Sequence, residues 1–216
     1  MPHSSRSFGA CIAALGLVVA LTACSGGKKH TTAQSVTSTT KPKVLGVKTS
    51  VLRVGAVDIQ SAGPVKQIDT KTGKAVLNRA QEYINRAVFS PLKNGKIGKN
   101  FGALFDAGAK ATAIGPDKAA LTELSVGKVA NLTTKATPVH LSALEGSFGE
   151  TIYLATDFDL DIRGTTSAGT LRIARHVELT FAKSGTTWLV TAYRVQAVRK
   201  SKAGTTTTTA TGGKKP

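Results

Sequence analysis

The sequence predicts an α+β domain in which N-terminal helices pack on a curved antiparallel meander sheet, and three observations predict it. First, Val76, Leu77, Ala80, Tyr83, Ile84, Ala87 and Val88 recur every three or four positions, with Asn78, Arg79, Gln81, Glu82 and Arg86 between them. That spacing lines one face of a helix. Second, beyond about Lys128 the period becomes two: Ile152, Leu154, Phe158, Leu160 and Ile162, then Leu171, Ile173, Val177, Leu179 and Phe181, alternate with polar or small residues as half-buried strands do. Third, Gly- and Ser-bearing breaks at residues 163–170 and 183–185 turn the chain between these stretches. Helices followed by strands segregate into two layers, the helices covering one face of the sheet.

Read from its start, the chain of 216 residues carries 29 Lys and Arg against 12 Asp and Glu, a formal charge of +17. Its length suits one domain of about 100 to 200 residues with tails. Residues 1–23 have the form of a targeting segment: Arg6, an apolar run over residues 8–21, and small residues ahead of a cysteine. The run is shorter than the ~20 residues of a comfortable membrane span. Leu21-Thr22-Ala23-Cys24, followed by Ser25-Gly26-Gly27, resembles the lipobox of bacterial lipoproteins. The resemblance implies diacylglycerol on the Cys24 thiol, cleavage between Ala23 and Cys24, and a chain held on the outer face of the cell membrane. An ordinary secretory peptide or an anchor helix is the competing reading. Cys11, the other cysteine, falls inside the segment that cleavage would remove, so Cys24 has no disulfide partner. A single acyl chain anchors weakly at ~0.8 kcal/mol per buried CH₂, whereas the two or three chains of a lipoprotein hold stably.

Residues 24–44 are Gly, Ser, Thr, Lys, Gln and His with almost no apolar side chain, and residues 200–216 are a Thr-rich, Lys-bearing run. Neither buries enough apolar surface to offset the entropy of ordering, so a disordered tether and a disordered tail are expected around a folded domain over residues 45–199. Nine of the basic residues lie outside that domain and all 12 acidic ones lie within it.

Inside the domain, residues 51–59 read either as a strand or as an irregular arm. The first helix spans residues 76–89 and ends at Ser90-Pro91, because the residue before a proline is biased away from helix. A loop with Lys93, Gly95, Lys96, Gly98 and Lys99 leads to a short helix with Phe101, Leu104 and Phe105 on one side, and Pro116 begins a third with Leu121 and Leu124. One strand within residues 129–144, the two long strands, and a last strand over 188–198 make a four-stranded meander. Pairing Ile162 with Leu171 sets Asp161 opposite Arg172 and Asp157 opposite His176.

The helix of residues 76–89, the short helices after it, the long strands, and the closing Lys183-Ser184-Gly185-Thr186-Thr187-Trp188-Leu189-Val190 resemble the cone-shaped superfamily typified by nuclear transport factor two. The resemblance covers about residues 75–199 and extends to actinobacterial lipoproteins carrying such a domain. It implies isomerase or dehydratase chemistry in some members, which needs an ionisable base facing an apolar cone and a donor opposite. Tyr83 and Arg175 are the polar groups whose periods turn them inward. Arg175 shares a face with Leu171, Ile173, Val177, Leu179 and Phe181, and reads either as a ligand-binding cation or as a structural arginine paired with a carboxylate or reaching water. With Trp188 or Leu189, these residues are expected to line a partly apolar pocket beneath the first helix. Residues of the superfamily's catalytic sites have no counterpart in these positions.

Other motifs carry little chemistry. Asp157, Asp159 and Asp161 alternate along one strand face and are followed by Ile162, without the glycine or closing glutamate of a calcium loop. His140 and His176 stand on separate strands without zinc spacing, and no motif calls for a cofactor. Twelve Lys and Arg between residues 66 and 135 face five acidic residues, a balance suited to solubility or to an anionic surface. With 5% aromatic residues and an exported reading, nucleic acid is not expected as a partner. Two functions follow: a lipid-anchored envelope module binding a protein partner or a small apolar or anionic ligand without catalysis, or an isomerase- or dehydratase-like enzyme on the same fold.

Overall fold

Asp69 starts the helical layer: its carboxylate accepts from the Thr72 N–H at 2.8 Å and from the Thr72 hydroxyl at 2.7 Å, capping the orphan donors of helix α1, Thr70–Ile84. The computed structural model describes residues 44–63, 67–201 and 206–212; the targeting segment, Cys24 and the tether through residue 43 lie outside them. Val44, read as the last residue of the tether, is buried and packs over Gly73, where any Cβ would collide with it.

Helix α1 passes into a π-helical turn, Asn85–Phe89, and then into α2, Ser90–Asn94, rather than stopping at Ser90-Pro91. The π turn accounts for this correction. Ser90 gives its N–H to the Asn85 carbonyl and Pro91 has none to give, so the carbonyls of Arg86 and Ala87 lose their helical donors. Two other segments supply replacements: Gly98 N–H bonds Arg86 O, and Glu123 N–H bonds Ala87 O, both at 2.9 Å. Gly98 permits that approach, since a Cβ there would meet the Arg86 backbone. Gly95, at φ +69°, ends α2 in the left-handed conformation.

The chain then forms a 3₁₀ turn at Phe101–Leu104, helix α3 at Ala107–Ile114, helix α4 at Lys118–Leu121 and a second 3₁₀ turn at Leu124–Val126. Helix α3 is absent from the sequence reading because only Ala109 and Ala113 face inward, too small to mark a period; its start is set by Asp106, which accepts from Ala109 N–H at 2.7 Å. Phe101, Phe105 and Tyr193 stack edge to face between this layer and the sheet.

The sheet runs β1 (Val54–Ser61), β2 (Ala130–Ala136), β3 (Val139–Glu145), β4 (Thr151–Thr166), β5 (Gly169–Ser184), β6 (Thr187–Ser201) and β7 (Thr206–Gly212). Their order is β1-β3-β4-β5-β6-β7, with β2 paired to β4 beyond the end of β3. Strands β2 and β3 are one path along β4 interrupted at Thr137-Pro138, where Thr137 N–H and Oγ1 bond the Asp159 carbonyl and N–H at 2.9 and 2.8 Å. The sheet is open and mostly antiparallel, as expected of the meander, with one exception. Residues 51–59 enter strand β1, which pairs in parallel with β3. A parallel pair requires a long crossover, and the whole helical segment between β1 and β2 serves as one.

Two further expectations are corrected. Ile162 pairs with Ile173 rather than Leu171, because the β4–β5 hairpin closes at Thr166 opposite Gly169 over a two-residue loop. A shift of two leaves every side chain on its predicted face, so periodicity does not distinguish the registers. Residues 206–212 of the expected tail form β7 against residues 194–200. The open edge of β6 supplies backbone partners that composition does not register, and the β-branched threonines suit a strand.

All seven helix positions read as apolar-facing are buried, and they meet Leu154, Phe158, Leu160 and Ile162 of β4 and Ile173, Val177, Leu179 and Phe181 of β5 in one core. The helices contact β4 and β6, leaving the other sheet face to solvent.

Candidate functional site

Arg175 lies on the core side of β5 with its side chain wholly out of solvent. Bringing an isolated guanidinium there costs several kcal/mol, so its partners determine whether the site is stable. One Nη bonds the carboxylate of Glu123, which is equally buried; the other donates to the Tyr83 hydroxyl at 2.9 Å, to the Ala120 carbonyl at 3.1 Å and to the Leu121 carbonyl. Tyr83 gives its own proton to the Leu121 carbonyl at 2.9 Å. The second oxygen of Glu123 accepts from Arg199 Nε on β6 at 2.7 Å. One carboxylate thus sits between two guanidinium groups.

The local sequence explains how Glu123 arrives there. Its N–H is anchored on the carbonyl left free at Ala87, and Thr122 folds its hydroxyl onto Lys118 O at 2.9 Å. Burial pushes the Tyr83 hydroxyl above its ordinary pKa, against the opposing pull of the Arg175 charge. Burial also works against the Arg175 charge, but the Tyr83 and Glu123 oxygens outweigh it and hold the guanidinium above its ordinary value. Arg175 Nε and one Arg199 Nη are buried without a hydrogen-bond partner among the described residues.

The structure therefore brings Tyr83 and Arg175 together. Trp188 is buried at the start of β6, opposite Lys183, nine residues from the Ala197 that faces Arg175. At a rise of ~3.3 Å per residue that is roughly 30 Å along the strand. Glu123, the residue that joins the network, is missed by the sequence reading; a lone acid between Leu121 and Leu124 is its only signal.

The solvent face of the sheet is organised in cross-strand rows. Lys135, Asp161, Ala174 and Val198 form one row, Asp159, His176 and Gln196 the next, and Asp157, Glu178 and Arg194 a third. Because Ala174 is short beside longer neighbours, the face sinks there into a groove of about 430 Å³. Its carboxylates are engaged: Asp161 bonds Arg172 Nε and Arg163 Nη2, each at 3.0 Å. These two guanidiniums hold the Asp161 carboxyl below the usual carboxylate range, Arg172 contributing more.

His176 sits among three carboxylates. Its Nδ1 is 3.0 Å from Asp159 and 3.6 Å from Asp157, and its Nε2 is 2.9 Å from Glu178. Desolvation lowers its pKa, but hydrogen bonds to Glu178 and Asp159 and the charges of Asp157 and Asp159 raise it overall. His140, the other histidine of the sheet, pairs with Asp58 at 2.7 Å. Lys135 has no carboxylate partner among the described residues.

No helix among the described residues is long and apolar enough to cross a membrane. Compared with protein-family models, with curated proteins and with solved structures, the chain matches none.

Proposed function

We propose that this chain is a non-enzymatic binding module held on the outer face of a cell membrane by lipid on Cys24, with the groove around Ala174 as its ligand surface. The observation that carries the reading is that Tyr83, Arg175 and Glu123 are all buried and joined to one another, Arg175 bonding both the Tyr83 hydroxyl and the Glu123 carboxylate. General acid–base work requires a group within hydrogen-bond reach of a substrate, and these groups lie out of solvent against one another, the Ala120 and Leu121 carbonyls and Arg199. The order of one long helix, short helices and long antiparallel strands supports a cone-shaped domain like that of nuclear transport factor two.

The groove has the volume of a small-molecule site, for which about 300 to 1,000 Å³ is usual. Ala174 and Val198 give it an apolar floor, and Lys135 supplies a rim cation while the neighbouring carboxylates are occupied by Arg163, Arg172 and His176. That combination suits a ligand with an apolar body and an anionic group. Exposed Lys71, Lys74, Lys93, Lys96, Lys99, Lys110 and Lys118 on the helical side add attraction to an anionic surface, at ~1 kcal/mol for each that approaches it.

Anilinonaphthalene sulfonate, an apolar anion, is a suitable probe. Its fluorescence should rise with the folded chain, and Ala174→Phe or Lys135→Glu should weaken binding at least about tenfold with circular dichroism unchanged. Undiminished binding by both variants would remove the groove from the proposal.

A further inference from the structure

We propose that the tip of the β3–β4 hairpin, with Phe148 at its head and Leu144 and Ile152 on its arms, dips into the surface of a lipid bilayer. The proposal deepens the reading of Cys24 as a lipid anchor and rests on it, because the anchor supplies that surface.

Among the described residues five large apolar side chains are exposed, and three of them, Leu144, Phe148 and Ile152, fall within this one hairpin. Phe148, 85% exposed, is the most open of the set. Alternation along β4 would turn Ile152 inward with Leu154, but Ile152 stands where the β3–β4 register shifts between Leu144 and Glu145, and it is exposed. Leu144 continues into a cross-strand row on the solvent face: it lies opposite Tyr153, Tyr153 opposite Ala182, and Ala182 opposite Leu189. That row carries no charge, whereas the rows through Asp157, Asp159, Asp161 and Arg163 all do.

The turn satisfies its own backbone donors. Gly146 gives its N–H to the Glu150 carbonyl at 2.9 Å, Gly149 to the Gly146 carbonyl at 3.0 Å, and Phe148 to the Glu150 carboxylate at 3.1 Å. Open donors are costly in lipid, and these three are occupied. Glu150, the only charged side chain of residues 146–152, is thereby drawn back onto the turn, and Gly146 leaves room for it, since a Cβ there would collide with the carboxylate. On the adjoining hairpin, exposed Lys183 follows Ala182 and offers a cation to anionic headgroups.

The extent of the apolar surface selects the occupant. Exposed fractions of 43, 85 and 40% on Leu144, Phe148 and Ile152 leave on the order of 300 Å² at the tip, against ~800 Å² per partner in a stable protein interface. A bilayer requires no matching surface, and a tip of this size suits insertion ~5 to 10 Å below the headgroups. Reach is sufficient: Cys24 precedes Val44 by 20 residues, at most about 70 Å of chain. That exceeds the ~50 Å of strand β4, the length of the sheet.

The test uses the chain from Cys24 onward, coupled through its thiol to a maleimide-bearing lipid in vesicles of phosphatidylcholine and phosphatidylglycerol. Coupling stands in for acylation, so the outcome is independent of what the cell attaches to Cys24, and mass spectrometry of that residue tests the anchor separately. In Phe148→Trp, emission should shift to shorter wavelength on the vesicles and be quenched by lipids brominated high on the acyl chain. Buried Trp188 supplies the background, measured in the unmodified chain. Ile114→Trp, in the helical layer, should stay unquenched, and adding Leu144→Ser with Ile152→Ser should remove most of the quenching at position 148. Circular dichroism of each variant establishes that the fold is intact. Emission of Phe148→Trp that keeps its wavelength in water would overturn the proposal, whatever the modification of Cys24, and so would equal quenching at positions 114 and 148. A dimer in sedimentation velocity that Phe148→Ser dissolves would assign the hairpin to a second copy of this chain and overturn it as well.

Discussion

Arg199 donates through Nε to Glu123 at 2.7 Å and through Nη1 to the Thr209 hydroxyl at 2.9 Å, so one guanidinium joins the buried carboxylate of the helical layer to the outermost strand β7. Glu123 is the shared anion of both inward arginines. Glu123→Gln removes the charge and leaves two guanidiniums uncompensated in the core. Urea unfolding should show a loss of about 3 to 5 kcal/mol, whereas replacing all three by apolar residues of similar volume, Glu123→Leu with Arg175→Met and Arg199→Leu, should restore most of it. A Glu123→Gln chain with an unchanged midpoint would mean that the network contributes no stability.

Strand β7 depends on the same link. Thr209→Val keeps the β-branched shape and removes the oxygen that Arg199 Nη1 meets, which should cost about 1.5 kcal/mol. The sharper readout is local. Amides of residues 206–212 that pair with β6 should exchange slowly in the unmodified chain and much faster in Thr209→Val, while β4 and β5 stay protected. Fast exchange of 206–212 in the unmodified chain would contradict the strand.

Acid should weaken the fold through Asp69 and Asp161. The Asp69 carboxyl is held below its ordinary value chiefly by the Thr72 N–H, and that of Asp161 chiefly by Arg172. For a carboxylate with a depressed folded-state pKa, the stabilisation is fully present above the unfolded value and is lost as pH falls through the folded one. Both contributions should therefore fade below about pH 4, near the ordinary carboxylate value. Denaturant midpoints measured from pH 7 down to pH 2 should fall, and in the Asp161→Asn chain they should fall less steeply.

His176 has the opposite sign. Its folded-state pKa is raised, so its contribution is present below the unfolded value and disappears as pH rises through the folded one. The charged groups facing it are Asp157, Asp159 and Glu178, with Arg194 beyond Glu178. Stability should decline modestly as pH rises past about 6.5, the ordinary imidazole value, and His176→Gln should remove that decline.

The proposed anchor is tested at Cys24. Cys24→Ala should yield a chain that is neither acylated nor cleaved between Ala23 and Cys24, detected by mass spectrometry of the membrane fraction. Normal cleavage and retention of that variant would contradict lipid attachment at this residue.

The sequence by itself determined which face each residue takes. A period of 3.6 or of two places a side chain inside or outside without reference to its partner, which is why all seven positions from Val76 to Val88 and the inward turn of Arg175 are readable in one dimension. The tertiary structure decided who meets whom. Strand register changed by two residues without altering any face; the parallel pairing of β1 depends on where the helical crossover returns; β7 depends on an edge that exists only once β6 is in place. Glu123 illustrates the limit most clearly. Its position follows from a carbonyl released at Ala87 by a π turn and by a proline four residues on, and its role follows from two arginines contributed by different strands. Such contacts join residues distant in sequence, and periodicity records only a residue's orientation to its own element. The partner of a buried charge is therefore settled by the folded chain.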